Sequence, residues 1–386
     1  MFYTKGWASI LSSLFLYITL GLLIVFIIRL FRPRFISQKD YTNFKLLLFS
    51  SLFFLFMGEL TLRYVFKIGL SYKEKCGSSF YVSPFISNQN RLDKVIITNV
   101  PNSKKGKGKQ EFSYTHQYNH LGLRERDIQF ASKDSQDFHI IGIGDSFTEG
   151  TGTHQDSTWL RNLERRLNTS SNSKQVLTIN GGVAGSDPIF DYKRLTEILL
   201  PYQPDLVVLA INSSDLLDVS IRGGLDRYEK QTALRNQPWW EPFFASSLIF
   251  RGVMHVVFDY NLDLIKPSEK AKIHEKAAHD IIDVLSQQIA LAEQHDYKLL
   301  LVLHPLRKEI EKQTSDMDIV YKHFKDKEGI SQLNMLNAFL ENGVNEKNCN
   351  IFYWPIDGHH TPKGYDLWAK IVKGFITENN LIEEGK

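Results

Sequence analysis

The reading of this chain turns on IIGIGDSFTEG, Ile140 to Gly150. An apolar run that closes on glycines is the signature of a buried parallel strand giving way to a tight turn. Such a turn either cradles a phosphate or presents a nucleophile. The phosphate reading requires G-x-G-x-x-G. Gly142 and Gly144 supply the first two glycines, but the third position is Phe147. Asp145 would also set a carboxylate beside the phosphates, where a helix N-terminus favours an anionic ligand without competition. No G-x-x-x-x-G-K occurs anywhere. What remains is a turn that displays Ser146, and a nucleophilic serine needs a base, an orienting acid and an oxyanion pocket from the ends of other strands.

The pattern around this stretch supplies such strands. DFHIIGIG (137–144), KQVLTIN (174–180), DLVVLAIN (205–212) and YKLLLVLH (297–304) read as buried strands. Helical patterns at 156–168, 187–199 and 268–295 lie between them. NIFYWPI (350–356) reads as a last strand, followed by a C-terminal helix from about Pro362. Apolar strands alternating with helices imply an α/β fold with a central parallel sheet covered on both faces, and sites in such sheets lie at the carboxyl ends of the strands. Three polar blocks sit at those ends. NGGVAGSDP (180–188) has glycines for a tight turn with inward N–H groups. INSSDLLD (211–218) offers short polar side chains, and DGHHTPKGYDLWA (357–369) offers Asp357 with His359 and His360. Residues 216–265, with QPWWEPFFASSLIF, break the rhythm as an aromatic insertion, expected to pack locally over the sheet; a lid or a wall facing the membrane is the alternative.

GDSFTEG, NGGVAG and DGHHTPKGY, in this order, resemble the blocks of the SGNH or GDSL-type serine hydrolases over about residues 136–380. The lead-in NHLGLRERD (119–127) resembles a segment that precedes the domain in membrane-anchored members. The resemblance implies a flavodoxin-like three-layer sandwich. It implies Ser146 as nucleophile, His359 as base, Asp357 as its orienting acid, and oxyanion N–H groups on Ser146 and Gly185. Two departures matter. The family's third block has Asn followed by Asp, whereas Ser214 precedes Asp215 here and the nearest asparagine is Asn212, so either Asn212 or Ser214 is the candidate third donor. The commoner D-x-x-H spacing selects His360, but the glycine five residues after the histidine is Gly364, which selects His359. His360 then reads as structural, His304 as a satisfied turn histidine, Arg124 as a partner in a structural ion pair, Asp145 as a turn residue, and Tyr365 and Trp368 as core.

Upstream, residues 7–28 carry no charge and reach the length, about 20 residues, that crosses a bilayer. A second apolar run starts at Leu46 and meets Glu59 and Arg63, which at i,i+4 could pair near the interface. Arg29, Arg32, Arg34, Lys39 and Lys45 lie between the runs and only Lys5 precedes them, so the connecting loop is expected in the cytoplasm and the rest outside it. The expected organisation is a transmembrane hairpin (1–66), an extracytoplasmic lead-in (67–135) and a hydrolase-like domain (136–386). The 386 residues suffice for this, and a net charge of +3 gives no electrostatic case for nucleic acid. Lys104 to Lys109 read as a solvated loop. Two cysteines, Cys76 and Cys349, show no zinc spacing; they either pair or remain buried thiols. No cofactor or metal is expected. The reading is a membrane esterase acting on an acylated small molecule or glycan, with an O-acyltransferase using the same triad, or an inactive fold serving as a binding scaffold, as alternatives.

Overall fold

The computed structural model describes residues 17–19, 21, 22, 24, 25, 27, 28, 38–65, 94–99, 110–119, 121–126, 137–169, 174–222, 247–258 and 267–382. The chain divides into two compact units, one of residues 1–82 with 232–271 and one of 83–231 with 272–386.

The larger unit is built on five parallel strands: β3 (Asp137–Gly144), β4 (Gln175–Asn180), β5 (Leu206–Ile211), β6 (Lys298–Leu303) and β7 (Ser331–Asn334). Their spatial order is β4-β3-β5-β6-β7. Counted within this sheet the order is 2-1-3-4-5, that of a flavodoxin-like fold. Side chains alternate along β5. Val207, Leu209 and Ile211 enter one apolar layer with Leu195, Val219, Ile281 and Leu285. Leu206, Val208 and Ala210 enter the other with Trp159, Leu160, Phe339 and Trp368. Helices from 188–199, 213–222 and 267–295 therefore cover one face, and helices from 159–168, 335–341 and 362–378 the other. Every β5 residue is buried, which is why this strand reads as an unbroken apolar run.

The order reverses at β3, because the chain leaves it for β4 on one side and then crosses to β5 on the other. The ends of β3 and β5 are in register, with Gly144 beside Ala210. In open α/β sheets, ligands bind at such a switch point, outside the carboxyl ends of the strands. Gly144 takes φ +150°, and a Cβ there would lie 2.6 Å from Thr148 Oγ1 and 2.7 Å from Ala210 O, so the turn into Ser146 closes only on glycine.

One expectation is corrected. The last strand is Ser331–Asn334, not NIFYWPI. Residues 349–352 form a helical turn, and Tyr353 makes only an isolated bridge to His360. SQLN is short and half-polar because it is an edge strand. The carbonyls of Ile351 and Phe352 are taken by the Thr361 hydroxyl and N–H instead of by a ladder. The lead-in contains an antiparallel pair, β1 (Lys94–Asn99) with β2 (Phe112–Gln117). Of the insertion, residues 216–222 continue a helix that covers the sheet, with Leu216 and Val219 in its apolar layer, and the helix Leu248–Phe258 belongs to the smaller unit. Cys349 is a free buried thiol; Cys76 lies outside the described residues.

In the smaller unit the helix Gln38–Tyr64 contains a window, Tyr41–Leu62, of mean hydropathy 1.6 and only 6% buried. Among the described residues it is the one helix long and apolar enough to cross a membrane. The described residues of 17–28 are helical and pack beside it, where a Cβ on Gly21 would meet Leu52 Cδ1 at 2.5 Å. Residues 29–37, with three of the expected cytoplasmic cations, lie outside the described residues, as does the side chain of Arg63.

Candidate active site

Asp145 begins the site. Its carboxylate caps the short helix Ser146–Glu149, accepting the Phe147 N–H at 2.9 Å, and Gly150 ends that helix at φ +93°. Ser146 is thus the first helical residue. Its N–H, one of the orphan donors of a helix start, has no intrahelical acceptor. Its Oγ lies 2.7 Å from His359 Nε2, and His359 Nδ1 lies 2.5 Å from Asp357 Oδ1. Asp357 and His359 are each about one-fifth exposed, so the assembly opens to solvent on one side. Burial works against the Asp357 carboxylate, but its hydrogen bond to His359 prevails and holds its pKa below the usual range. An ionised carboxylate on Nδ1 fixes the proton there and leaves Nε2 free to accept from a hydroxyl.

His360 is elsewhere. It is fully buried, its Nδ1 donates to Phe352 O at 3.1 Å, and its ring lies 4.3–5.6 Å from those of Tyr353, Tyr365, Phe147, Trp368 and Phe339. Burial drives its pKa down to about 3, so it is neutral and structural. Tyr365 and Trp368 are core, and Trp368 stacks on Trp159 at 5.3 Å.

The third block is arranged around Asn212, which leaves β5 fully buried. Its Oδ1 accepts from Ser214 N at 2.8 Å and from Ser214 Oγ at 2.6 Å, which fixes the amide orientation. Its Nδ2 donates to Asp145 Oδ2 at 2.9 Å and to His304 Nε2 at 3.0 Å. Both amide hydrogens are therefore taken, and the Ser214 hydroxyl is directed at the amide. His304, expected to be a satisfied turn residue, is buried against Phe147 and Trp368, and burial holds its pKa well below the usual value. Neutral His304 can accept the amide proton. Burial, reinforced by the charge of Asp145, pushes Asp215 well above the carboxylate range while its Oδ2 accepts the Asn212 N–H at 2.8 Å.

The second block runs beside the end of β3. Gly181 N donates to Gly142 O at 2.7 Å and Val183 N to Gly144 O at 3.0 Å. Gly182 abuts the serine helix so closely that a Cβ would stand 2.2 Å from Glu149 N. Gly185 follows at φ +74° on the exposed side of this turn. Glu149 ties the two blocks by accepting the Ala184 N–H; burial raises its pKa to about 7 against the opposing charge of Arg124.

Sequence reasoning singled out NHLGLRERD but not what it does. Asn119 Oδ1 accepts the N–H groups of Leu121 and Leu123, both at 3.0 Å, and Gly122 takes φ +74°, so the motif folds on itself. Arg124, 1% exposed, then donates to the carbonyls of Glu149 (3.2 Å), Gly150 (2.5 Å) and Thr153 (2.6 Å) behind the serine helix. It makes these backbone bonds rather than the expected ion pair. Glu125 accepts the Asn180 N–H at 2.7 Å at the end of β4 and pairs with Arg161. Glu111, just before β2, accepts the N–H groups of Ile356 (2.8 Å) and Asp357 (2.9 Å). The lead-in thus touches the serine block, the glycine block and the Asp/His block. A buried Arg–Glu pair beside a turn was a usable signal; Glu111, an acid in a polar stretch, carried none.

No family model and no curated protein matches this chain. Solved structures it resembles include a two-domain esterase active on acetylated mannans (11% identity, TM-score 0.36, 65% of this chain and 51% of the other). A lipase/acylhydrolase from Enterococcus faecalis matches at 14% identity and TM-score 0.39, over 64% and 99% of the two chains. An acetyl xylan esterase matches at 15% and 0.40, over 62% and 100%. The chain thus spans about half the length of the mannan esterase. Superpositions this loose say nothing of what this chain does.

Proposed function

We propose that this protein is a membrane-anchored serine esterase of the SGNH type, with its catalytic unit outside the cytoplasm and with O-acyl esters of a carbohydrate or cell-envelope component as its substrate class. One observation carries the activity: Ser146 Oγ, His359 and Asp357 form an unbroken chain of hydrogen bonds of 2.7 and 2.5 Å at the switch point of the sheet. In this reading Ser146 Oγ attacks the ester carbonyl as its proton passes to His359 Nε2. The tetrahedral intermediate collapses when His359 returns the proton to the departing alcohol. Water, deprotonated by the same nitrogen, then releases the acid and restores Ser146. The N–H groups of Ser146 and Gly185 serve the oxyanion. Asn212 is the third donor, and to act it releases His304 and turns one amide hydrogen toward the substrate. An O-acyltransferase would share every step to the acyl-enzyme and admit a second alcohol in place of water.

Anchoring is supported by the exposed apolar helix Gln38–Tyr64, by the apolar run 7–28 as a second crossing, and by the cations between them. Labelling the full-length protein with a serine-directed phosphonate tests the activity. Wild type reacts and Ser146→Ala does not; absence of label on the wild type, or equal label on both, refutes it. Cysteine accessibility across residues 30–44 tests the topology, and labelling there from outside the cytoplasm reverses it. The rival reading, an inactive scaffold, draws on the engagement of both Asn212 amide hydrogens. It expects no label on the wild type.

A further inference from the structure

We propose that the insertion between β5 and β6 returns to the bilayer, and that its helix Leu248–Phe258 lies among lipid acyl chains against the helix Gln38–Tyr64, held there by Glu59. This rests on the membrane-anchored reading.

Glu59 has no exposed surface, although it sits in the helix that is long and apolar enough to cross a membrane. A carboxylate in such a helix is costly without a partner, and its partners identify its role. They converge on one helix start. Glu59 Oε2 accepts the Leu248 N–H at 3.0 Å and Oε1 the Ile249 N–H at 3.0 Å. Ser247 Oγ donates to Glu59 Oε1 and accepts the Phe250 N–H at 3.0 Å. The Tyr17 hydroxyl, from the first apolar run, donates to Glu59 Oε1 at 3.2 Å. The first N–H groups of a helix have no intrahelical acceptors, and in hydrocarbon no water can serve them. Glu59 and Ser247 supply what water would, and a carboxylate at a helix N-terminus also meets the favourable end of its dipole.

The remaining surface is lipid-like. Val253 and Val257, one turn apart on one stripe, are 50% and 65% exposed. Among the described residues the exposed large apolar side chains lie in this unit, apart from Ile319, Ile351 and Ile356. A concentration of that kind marks a surface built for an apolar medium. Gly58 leaves the neighbouring space for Ile249, whose Cδ1 would stand 3.3 Å from a Cβ there. Eleven residues rise about 16 Å, half of a hydrocarbon core, so this helix enters the bilayer without crossing it.

The test uses full-length protein in phosphatidylcholine–phosphatidylglycerol vesicles, with the native cysteines replaced and a nitroxide on cysteine at 253, 257, 53, 54 or 319. Collisions with dissolved oxygen are compared with those of a water-soluble nickel complex. Positions 253 and 257 should favour oxygen, as 53 and 54 do, and 319 should favour nickel. If 253 and 257 behave like 319 while 53 and 54 favour oxygen, the inference fails and the anchor stands. If 53 and 54 also favour nickel, the anchored reading fails and takes the inference with it. Glu59→Leu should abolish the oxygen preference at 253 and 257 but not at 53 and 54, and Glu59→Gln, which keeps an acceptor, should retain it. An unchanged preference in Glu59→Leu overturns the role of Glu59.

Discussion

Replacing Glu111 by alanine asks how much of the site is built by a residue outside the sheet domain's own motifs. The Glu111 carboxylate accepts two N–H groups of the turn that carries Asp357, at 2.8 and 2.9 Å. Hydrogen bonds to a charged group contribute about 1.5–3 kcal/mol each when buried. Here Ile356 is 37% exposed, so water recovers part of that, and about 1 kcal/mol each is the appropriate scale. Losing both costs about 2 kcal/mol, which lowers the population of the productive Asp357–His359 geometry roughly 30-fold. Glu111→Gln keeps one acceptor and should lose roughly fivefold. The assay is hydrolysis of p-nitrophenyl acetate by the full-length protein in detergent, in parallel with the rate of phosphonate labelling. The loss should fall on kcat, since the turn orients the base and Glu111 has no place against the acyl group. Rates within twofold of wild type for Glu111→Ala would refute the reasoning, because the turn would then hold its shape through Phe112 on Trp354 and the Trp354–Gly152 bond alone.

His359→Ala should abolish hydrolysis with little change in stability, whereas His360→Ala should destabilise by about 3–5 kcal/mol, as the loss of a buried aromatic ring does; urea unfolding beside the rate assay distinguishes the two. Arg124→Lys should cost about 3 kcal/mol, because an ammonium cannot reach three carbonyls that a guanidinium spans, and the midpoint of thermal unfolding reads it. Glu149 has a folded pKa of about 7, above its ordinary 4.5, so its contribution to stability is whole below pH 4.5 and is lost as pH rises to about 7. That loss is about 3 kcal/mol, and Glu149→Gln should remove this share of the difference between urea midpoints at pH 5 and pH 8.

Much of this arrangement is legible in one dimension because its cause is local. β3, β4, β5 and β6 are apolar runs that must be buried on both faces, and their lengths and glycine endings locate the turns at Ser146 and Gly181. Asp357 and His359 are two residues apart, so their contact is a property of one turn. Edge strand β7 is not legible because an edge needs only half an apolar face, and NIFYWPI resembles a strand because a helical turn that ends at the buried Tyr353 is equally apolar.

The sequence by itself determined a parallel α/β sheet with Ser146 at a strand end and an Asp/His pair near the C-terminus, because periodicity and turn chemistry act over a few residues. Only the tertiary structure decided which histidine meets Ser146, since His359 and His360 point in different directions from one turn, toward the serine and into an aromatic core. It also decided the partners of Asn212, Arg124, Glu111 and Glu59. Each of these satisfies backbone or buried polar groups tens to hundreds of residues away, and hydrogen-bond demand of that kind has no period and no spacing to read.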